Sequence, residues 1–92
     1  MENINVKFIH PTNNSDIDIG VPGDILLRDV FVQLVDANFL ASGQPYTGVL
    51  KAKPSIGRTE SITLDNDKSI AQNTVGNDDT ITILIATQAG RF

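Results

Sequence analysis

The side chains best suited to acid–base or metal chemistry are few in this sequence. His10 is the only histidine, and the chain has no cysteine. A histidine that stands alone in a turn, with no second imidazole nearby, is typical of solvent-facing surface rather than of a ligand or a base. The lack of cysteine excludes disulfides, thiolate nucleophiles and thiolate metal sites, and it suits a reducing compartment.

Two pairs of aspartates, Asp16/Asp18 and Asp65/Asp67, have the spacing of metal-binding loops. The second pair lies in DNDKS, which lacks both the glycine and the distal glutamate of a calcium loop. Aspartate is also a common turn former, because its carboxylate accepts hydrogen bonds from nearby backbone amides. We therefore interpret both pairs as turn residues and expect no metal site.

The remaining candidates for catalysis are also weak. VGNDD, residues 75–79, is interpreted as an acidic turn before the last strand. No base partner is evident for the serines that lie in or near turns, which are Ser15, Ser42, Ser55 and Ser61. The sequence contains no glycine-rich phosphate loop. We expect a protein without cofactor that is not an enzyme.

Composition narrows the class of partner. The chain has 92 residues, enough for one domain, and a formal net charge of −4 with its seven basic residues scattered. Scattered bases argue against nucleic acid and anionic membranes as principal partners. No targeting segment and no membrane-spanning run is evident, so a cytoplasmic location is the expectation.

The first half of the chain predicts a hairpin and a helix. Apolar residues alternate with polar ones in INVKFI and in DIDIGV, on either side of a polar turn. After Pro22 and Gly23, apolar residues recur at helical spacing, which predicts a helix from about Ile25 to Asn38. Asp24 is the expected N-cap, because its carboxylate can accept from the free amides of the first turn.

The second half predicts three strands, 46–53, 61–64 and 80–87. The last of these, TITILIAT, is rich in β-branched residues and apolar on both faces, as is typical of a strand in the middle of a sheet. We place it beside the first strand. The predicted fold is α+β, a β-grasp with a mixed sheet of four to five strands packed on one helix.

With this order of elements, the chain resembles ubiquitin and the ubiquitin-like proteins. TITILIATQAG aligns without a gap with the final strand and tail of ubiquitin, so that Gly90 takes the place of the terminal glycine and Ala89 departs from the penultimate one. VKFI and LLRDVFVQLV lie where the first strand and the helix of ubiquitin are expected. The resemblance implies a ubiquitin-like domain over residues 1–87 and a flexible tail over 88–92.

The resemblance also implies a function. In ubiquitin-like modifiers the mature chain ends in glycine, because a residue without a Cβ passes through the narrow channel of an activating enzyme. Bacterial ubiquitin-like modifiers can occur beside E1-like, E2-like and JAB-type peptidase partners. By this likeness, a peptidase removes Arg91 and Phe92 after Gly90, and the freed carboxylate is conjugated to targets.

Two other ubiquitin-like families are alternatives. YukD and EsaB proteins, accessory factors of type VII secretion, share the small ubiquitin-like domain and lack a conjugatable tail. The sulfur carriers resembling ThiS and MoaD need a free Gly-Gly end, and this chain has no such pair. A non-conjugated interaction domain, or a self-associating scaffold, is therefore the main alternative to a modifier.

The same overlay predicts a surface for partners on the open face of the sheet. It directs Leu84 outward, with Thr82 and Ala86, and directs Ile81, Ile83 and Ile85 towards the helix. A patch of Ile9, Val49 and Leu84 is the predicted docking surface, and this face or a strand edge is the expected route for self-association. The candidate acceptors of a conjugate, among which the sequence favours none, are Lys7, Lys51, Lys53 and Lys68.

Overall fold

A computed structural model of the chain describes residues 3–85. Its elements are β1 (Asn3–Ile9), β2 (Asp16–Pro22), α1 (Leu27–Asp36), β3 (Tyr46–Leu50), a short 3-10 turn (Pro54–Ile56), β4 (Ile62–Thr63) and β5 (Asp79–Ile85). The strands form one five-stranded sheet in the order β2-β1-β5-β3-β4, and α1 packs on one face of it. The predicted α+β architecture, one helix on a mixed sheet, is confirmed.

The opening hairpin follows from the alternating pattern of its sequence. β1 pairs antiparallel with β2 in a register that places Val6 opposite Ile19 and Phe8 opposite Ile17. Val6 and Phe8 are buried, whereas the intervening Lys7 is half-buried. One face of the hairpin thus faces the helix, as predicted.

β5 is the central strand of the sheet. It runs parallel to β1, with Phe8 opposite Ile81, and antiparallel to β3, with Gly48 opposite Ile83. Ile81 and Ile83 are fully buried against the helix side of the sheet. The apolar segment TITILI therefore lies in the middle of the sheet beside the first strand, as predicted.

The helix is shorter than predicted, and its N-cap is different. It begins at Leu27 after Leu26, no side chain caps it, and Asp24 is exposed before it. Instead, the amide of Leu27 donates to the carbonyl of Lys68 (3.0 Å) and the amide of Arg28 donates to that of Asn66 (3.2 Å). The free amides of the first helical turn are thus satisfied by backbone carbonyls of the loop after β4, and not by the carboxylate of Asp24 as predicted.

The end of the helix is set by backbone conformation. Asn38 adopts a left-handed φ of 64°, and the amides of Phe39 and Leu40 both donate to the carbonyl of Leu34. Asparagine tolerates this conformation better than most residues, which explains why the helix ends at Asp36 rather than at Asn38.

The later strands are also shorter than predicted. β3 ends at Leu50, because the chain then turns through the 3-10 segment and Lys53 pairs with Arg58. β4 has only two residues. The predicted boundary between a domain of 1–87 and a tail of 88–92 lies outside the described residues.

A single core lies between the helix and the sheet. Its fully buried side chains come from β1, β2, α1, β3, the loop after β4 and β5; the largest are Phe8, Leu27, Leu34, Leu50, Ile70, Ile81 and Ile83. Gly48 of β3 has no room for a side chain, because a Cβ at this position would lie 2.9 Å from Cγ2 of Ile81. The absence of a side chain at Gly48 lets the helix and the loop after β4 pack directly on β3.

Candidate protein-binding face of the sheet

The helix covers one face of the sheet and leaves the other face open. Alternation along the strands sends every second side chain to this open face. From β1 these include Lys7 and Ile9, from β5 Thr80, Thr82 and Leu84, and from β3 Thr47 and Val49. The centre of the open face is therefore formed by β1, β5 and β3.

The predicted docking residues meet on this face. Register places Ile9 opposite Thr82 and Thr82 opposite Val49, so these three side chains form one row across β1, β5 and β3. Leu84 stands opposite Thr47 in the next row and is diagonal to Val49. We call these five residues the open-face patch. The overlay on ubiquitin predicted Ile9, Val49 and Leu84 as the patch and directed Thr82 outward, whereas Thr47 is added by the pairing of the strands.

The patch offers uncharged surface of limited area. Leu84 is 41% exposed, and Ile9, Thr47, Thr82 and Val49 are half-buried. The two threonines are uncharged and lie beside the apolar residues, Thr82 between Ile9 and Val49, and Thr47 opposite Leu84. An interface core that lacks charge is typical of surfaces that bind other proteins.

Charged side chains border the patch on one side. The next row of the sheet pairs Asp18 with Lys7 and Lys7 with Thr80, and the backbone of Lys51 bonds to Thr80. Asp16 stands opposite Ile9 at the edge strand. A partner would therefore meet an apolar centre with a mixed charged border, which suits specific rather than diffuse binding.

A buried ion pair fixes the start of β5. The carboxylate of Asp79 is 3% exposed and accepts from both terminal nitrogens of Arg58, at 2.8 and 3.3 Å. The amide of Gly76 donates to the same carboxylate at 2.8 Å, and Lys53 lies 3.8 Å away. These contacts connect the segment after β3, the turn before β5 and β5 itself.

The same contacts determine the protonation of Asp79. Burial by itself raises the pKa of this carboxyl, but the hydrogen bonds from Arg58 and Gly76 and the positive charges of Arg58 and Lys53 outweigh it, so the pKa lies below its ordinary value of 3.8. Asp79 closes the predicted turn, since its amide donates to the carbonyl of Gly76 at 3.3 Å, but it is also the first residue of β5 and carries the buried ion pair, which the turn interpretation missed. Its neighbour Asp78 lies inside the turn, at a left-handed φ of 66°.

His10 organises the turn of the first hairpin. Its Nδ1 accepts from the amides of Thr12 (3.1 Å) and Asn13 (3.3 Å), and its ring lies edge-on to Phe39 at 5.4 Å. The side chain is half-buried rather than fully solvated. These contacts account for the histidine without a metal or a substrate.

The acidic pairs have local partners. The amide of Asp67 donates to Oδ1 of Asp65 at 2.9 Å, which is the turn-forming role expected of this pair. The carboxylate of Asp67 pairs with Arg28. Asp16 and Asp18 lie on β2 rather than in a turn, which corrects that part of the interpretation. Within residues 3–85, no group of three or more His, Cys, Asp or Glu side chains is placed to hold a metal ion.

Three of the solved structures that resemble this chain are ubiquitin or ubiquitin-like domains. The UBL (ubiquitin-like) domain of Plasmodium falciparum Dsk2 has a TM-score of 0.65 and 16% identity, over 91% of this chain and 99% of that one. Ubiquitin of Caldiarchaeum subterraneum has a TM-score of 0.66 and 12% identity, over 92% and 95% of the two chains. The C-terminal ubiquitin-like domain of mouse tubulin-specific chaperone e has a TM-score of 0.71 and 15% identity, over 94% and 89%.

The chain has a ubiquitin-like fold. No protein-family model and no curated protein matches its sequence. At 12–16% identity the likeness concerns the fold alone. Ubiquitin-like domains are generally non-enzymatic, and their partners are set by their surfaces and not by the fold.

The predicted processing site cannot be placed on this ubiquitin-like fold. Gly90 and its neighbours Ala89 and Arg91 lie outside the described residues, as does Ala86 of the predicted open face. The last described residue of β5 is Ile85, opposite Tyr46 of β3. Among residues 3–85 there is no helix with the length and apolar character that crossing a membrane requires.

Proposed function

We propose that this chain is a ubiquitin-like protein-interaction module that binds other proteins through its open-face patch. The observation that carries the proposal is the row of Ile9, Thr82 and Val49 with Leu84 beside it, an uncharged surface bordered by charges. A module that binds partners in this way without being conjugated to them corresponds to the YukD/EsaB type of accessory domain. Neither a cofactor nor a catalytic group of its own is needed for it.

Substitution of Leu84 tests this function. Leu84→Asp places a charge at the most exposed apolar position of the patch, and Ile56→Asp is the matched control, since Ile56 is 62% exposed on the 3-10 turn. Both substitutions are at the surface, so the fold should be retained. Each tagged full chain is exposed to an extract of the cells that produce it, and bound proteins are quantified by mass spectrometry.

The expected result is a set of proteins retained by the unchanged chain and by Ile56→Asp, and reduced roughly tenfold or more with Leu84→Asp, since losing an interface anchor costs about 2 kcal/mol or more. Thermal unfolding of all three chains checks the fold. Equal retention by Leu84→Asp would reject the patch as the binding surface.

A second candidate is a protein modifier in the manner of the bacterial ubiquitin-like proteins. Support for it comes from Gly90, five residues beyond the last described residue of the central strand, and from the absence of catalytic chemistry in the sequence. On this proposal a JAB-type peptidase cleaves after Gly90, an E1-like enzyme activates the new carboxylate, and an E2-like protein assists transfer. The open-face patch then serves recognition by these partners.

Cleavage after Gly90 is the decisive event for a modifier. Mass spectrometry of the protein from its own cells should find a form that ends at Gly90. Gly90→Val should abolish that form, because a β-branched side chain obstructs a narrow channel, whereas Ala89→Gly should leave it intact. If Arg91 and Phe92 are always retained, the chain is not a processed modifier and only the non-conjugated function stands.

A further inference from the structure

The charge on the open face of the sheet differs between its two sides. Asp16 and Asp18 of the edge strand β2 pair with open-face residues of β1, so both exposed side chains lie on this face. On the other side of β5, the amide of Lys51 donates to the carbonyl of Thr80, and the exposed Lys51 lies on the open face just after β3. The ion pairs within residues 3–85 involve none of these three charged groups.

A single row of the sheet carries both signs of charge. Across β2, β1, β5 and β3, this row consists of Asp18, Lys7, Thr80 and Lys51. Adjacent strands lie about 4.8 Å apart, so Asp18 and Lys51 are separated by roughly 14 Å and cannot pair within one chain. A surface that carries the same row in reverse order would bring an opposite charge to each of them.

A second copy of the chain carries the row in reverse order. Two open faces can meet about a two-fold axis that runs parallel to the strands, between β1 and β5. This axis places β2 of one copy over β3 of the other, and β1 over β5. Asp18 of each copy then faces Lys51 of the other, so the contact is made twice. An axis across the strands would instead place β2 over β2 and bring the carboxylates together, which is unfavourable.

The same axis brings the apolar residues of the open-face patch together. Ile9 of β1 and Leu84 of β5 lie on the two strands that flank the axis. Each of these side chains is therefore displaced sideways from its own counterpart by only about one strand spacing, 4.8 Å, and the two copies of each can touch. The contact thus has an apolar centre and oppositely charged borders, which is the usual arrangement of a protein interface.

The size of this contact determines its strength. Four strands at about 4.8 Å and three rows at about 6.8 Å cover roughly 400 Å² on each copy. An interface of this size belongs with the weak and reversible ones, so we expect a dissociation constant of about 100 μM. A partner that binds the face more tightly would displace the second copy.

We propose that a second copy of this chain binds the open-face patch, in a weak dimer with two-fold symmetry that is held by Asp18 and Lys51 at its borders and by Ile9 and Leu84 at its centre. This inference rests on the proposed function, because it names one protein that the patch binds. Other partners compete with the dimer for the same surface, so the concentration of the chain regulates their access to it.

Charge reversal tests the dimer in the full chain. Asp18→Lys opposes two lysines at each border of the interface, and Lys51→Asp opposes two aspartates there. In sedimentation equilibrium, each variant alone should dimerise at least about tenfold more weakly than the unchanged chain. An equimolar mixture of the two variants should recover dimerisation to within about threefold, because both borders of the mixed dimer join opposite charges.

Asp36→Lys is the matched control for these variants. It changes the net charge by the same amount as Asp18→Lys, at an exposed residue of α1 on the other side of the molecule, and it should dimerise as the unchanged chain does. Urea unfolding of each variant checks the fold.

The inference is overturned if the mixture does not recover the dimer, if Asp36→Lys weakens it as much as Asp18→Lys, or if the unchanged chain stays monomeric at millimolar concentration. None of these results affects the capture of other proteins from an extract and its loss with Leu84→Asp. Failure of the dimer is therefore distinguishable from failure of the proposed function.

Discussion

At the scale of single residues, Asp79 is a buried charge whose partners link the start of β5 to the segment after β3. Its buried carboxylate holds Arg58, whose side chain is only 12% exposed, and receives the amide of Gly76. Removal of one partner of such a pair leaves the other charge buried without compensation, which is much costlier than the loss of a surface ion pair.

We therefore expect Asp79→Asn to lower the free energy of unfolding by about 3 kcal/mol. Asp78→Asn is the matched control, because Asp78 is exposed at a left-handed φ that asparagine also tolerates, and its effect should be under about 0.5 kcal/mol. Urea unfolding measures both. Similar effects for the two variants would show that the ion pair contributes little.

The ionisation of Asp79 should also contribute to the pH dependence of the free energy of unfolding. Because the pKa of Asp79 in the folded state lies below its ordinary value of 3.8, the carboxyl stabilises the fold above that value and this contribution is lost as the pH falls through the folded pKa. The unfolding free energies of the unchanged chain and of Asp79→Asn should differ most near neutral pH and converge in strong acid. A constant difference down to acid pH would contradict this assignment.

At the scale of elements, the start of the helix depends on the loop after β4. This loop supplies the carbonyls that accept from Leu27 and Arg28, and Asn73 holds it in shape. The side chain of Asn73 is buried, and its Oδ1 accepts from the amide of Asp65 at 2.9 Å. Its Nδ2 donates to the carbonyls of Asp65 (2.9 Å) and Ser69 (3.1 Å), and the carbonyl of Lys68 lies 3.4 Å away.

Asn73→Ala should therefore destabilise the protein by about 2 kcal/mol, because it leaves several buried backbone groups without partners. Asp24→Ala, at the position where a conventional cap was expected, should change stability by less than about 0.5 kcal/mol, since the helix amides are already satisfied. Thermal or urea unfolding of both variants distinguishes the two modes of capping. A larger effect at Asp24 would restore the carboxylate as the cap.

The sequence predicted some features of these elements and not others, for physical reasons. Strand alternation and the apolar run of β5 are local patterns, so they predicted the hairpin and the central strand, whereas the outward direction of Leu84 came from the overlay on ubiquitin. The capping of the helix by Lys68 and the pairing of Arg58 with Asp79 depend on residues far apart in sequence, which no local pattern encodes. An apolar groove lined by Phe31, Val35 and Tyr46 was not predicted, because it arises only when the helix packs beside β3.

At the scale of the whole molecule, stability should be highest at the centre of the sheet. β5 is hydrogen-bonded on both sides, to β1 and β3, while β4 is a two-residue edge strand with exposed side chains. In amide exchange, residues 80–85 of β5 should be among the slowest, and Ile62 and Thr63 among the fastest. Rapid exchange of β5 would be incompatible with its central position.

The central position of β5 also has a consequence for biosynthesis. A ribosome completes both flanking pairs of strands, β1–β2 and β3–β4, before the strand that lies between them is made. Until residues 79–85 emerge from the exit tunnel, β1 and β3 each present an edge with unpaired backbone groups, and the apolar face of α1 has no complete sheet to cover. The β1–β2 and β3–β4 pairs can form earlier, but the complete native sheet becomes available to the nascent chain only when β5 has been translated.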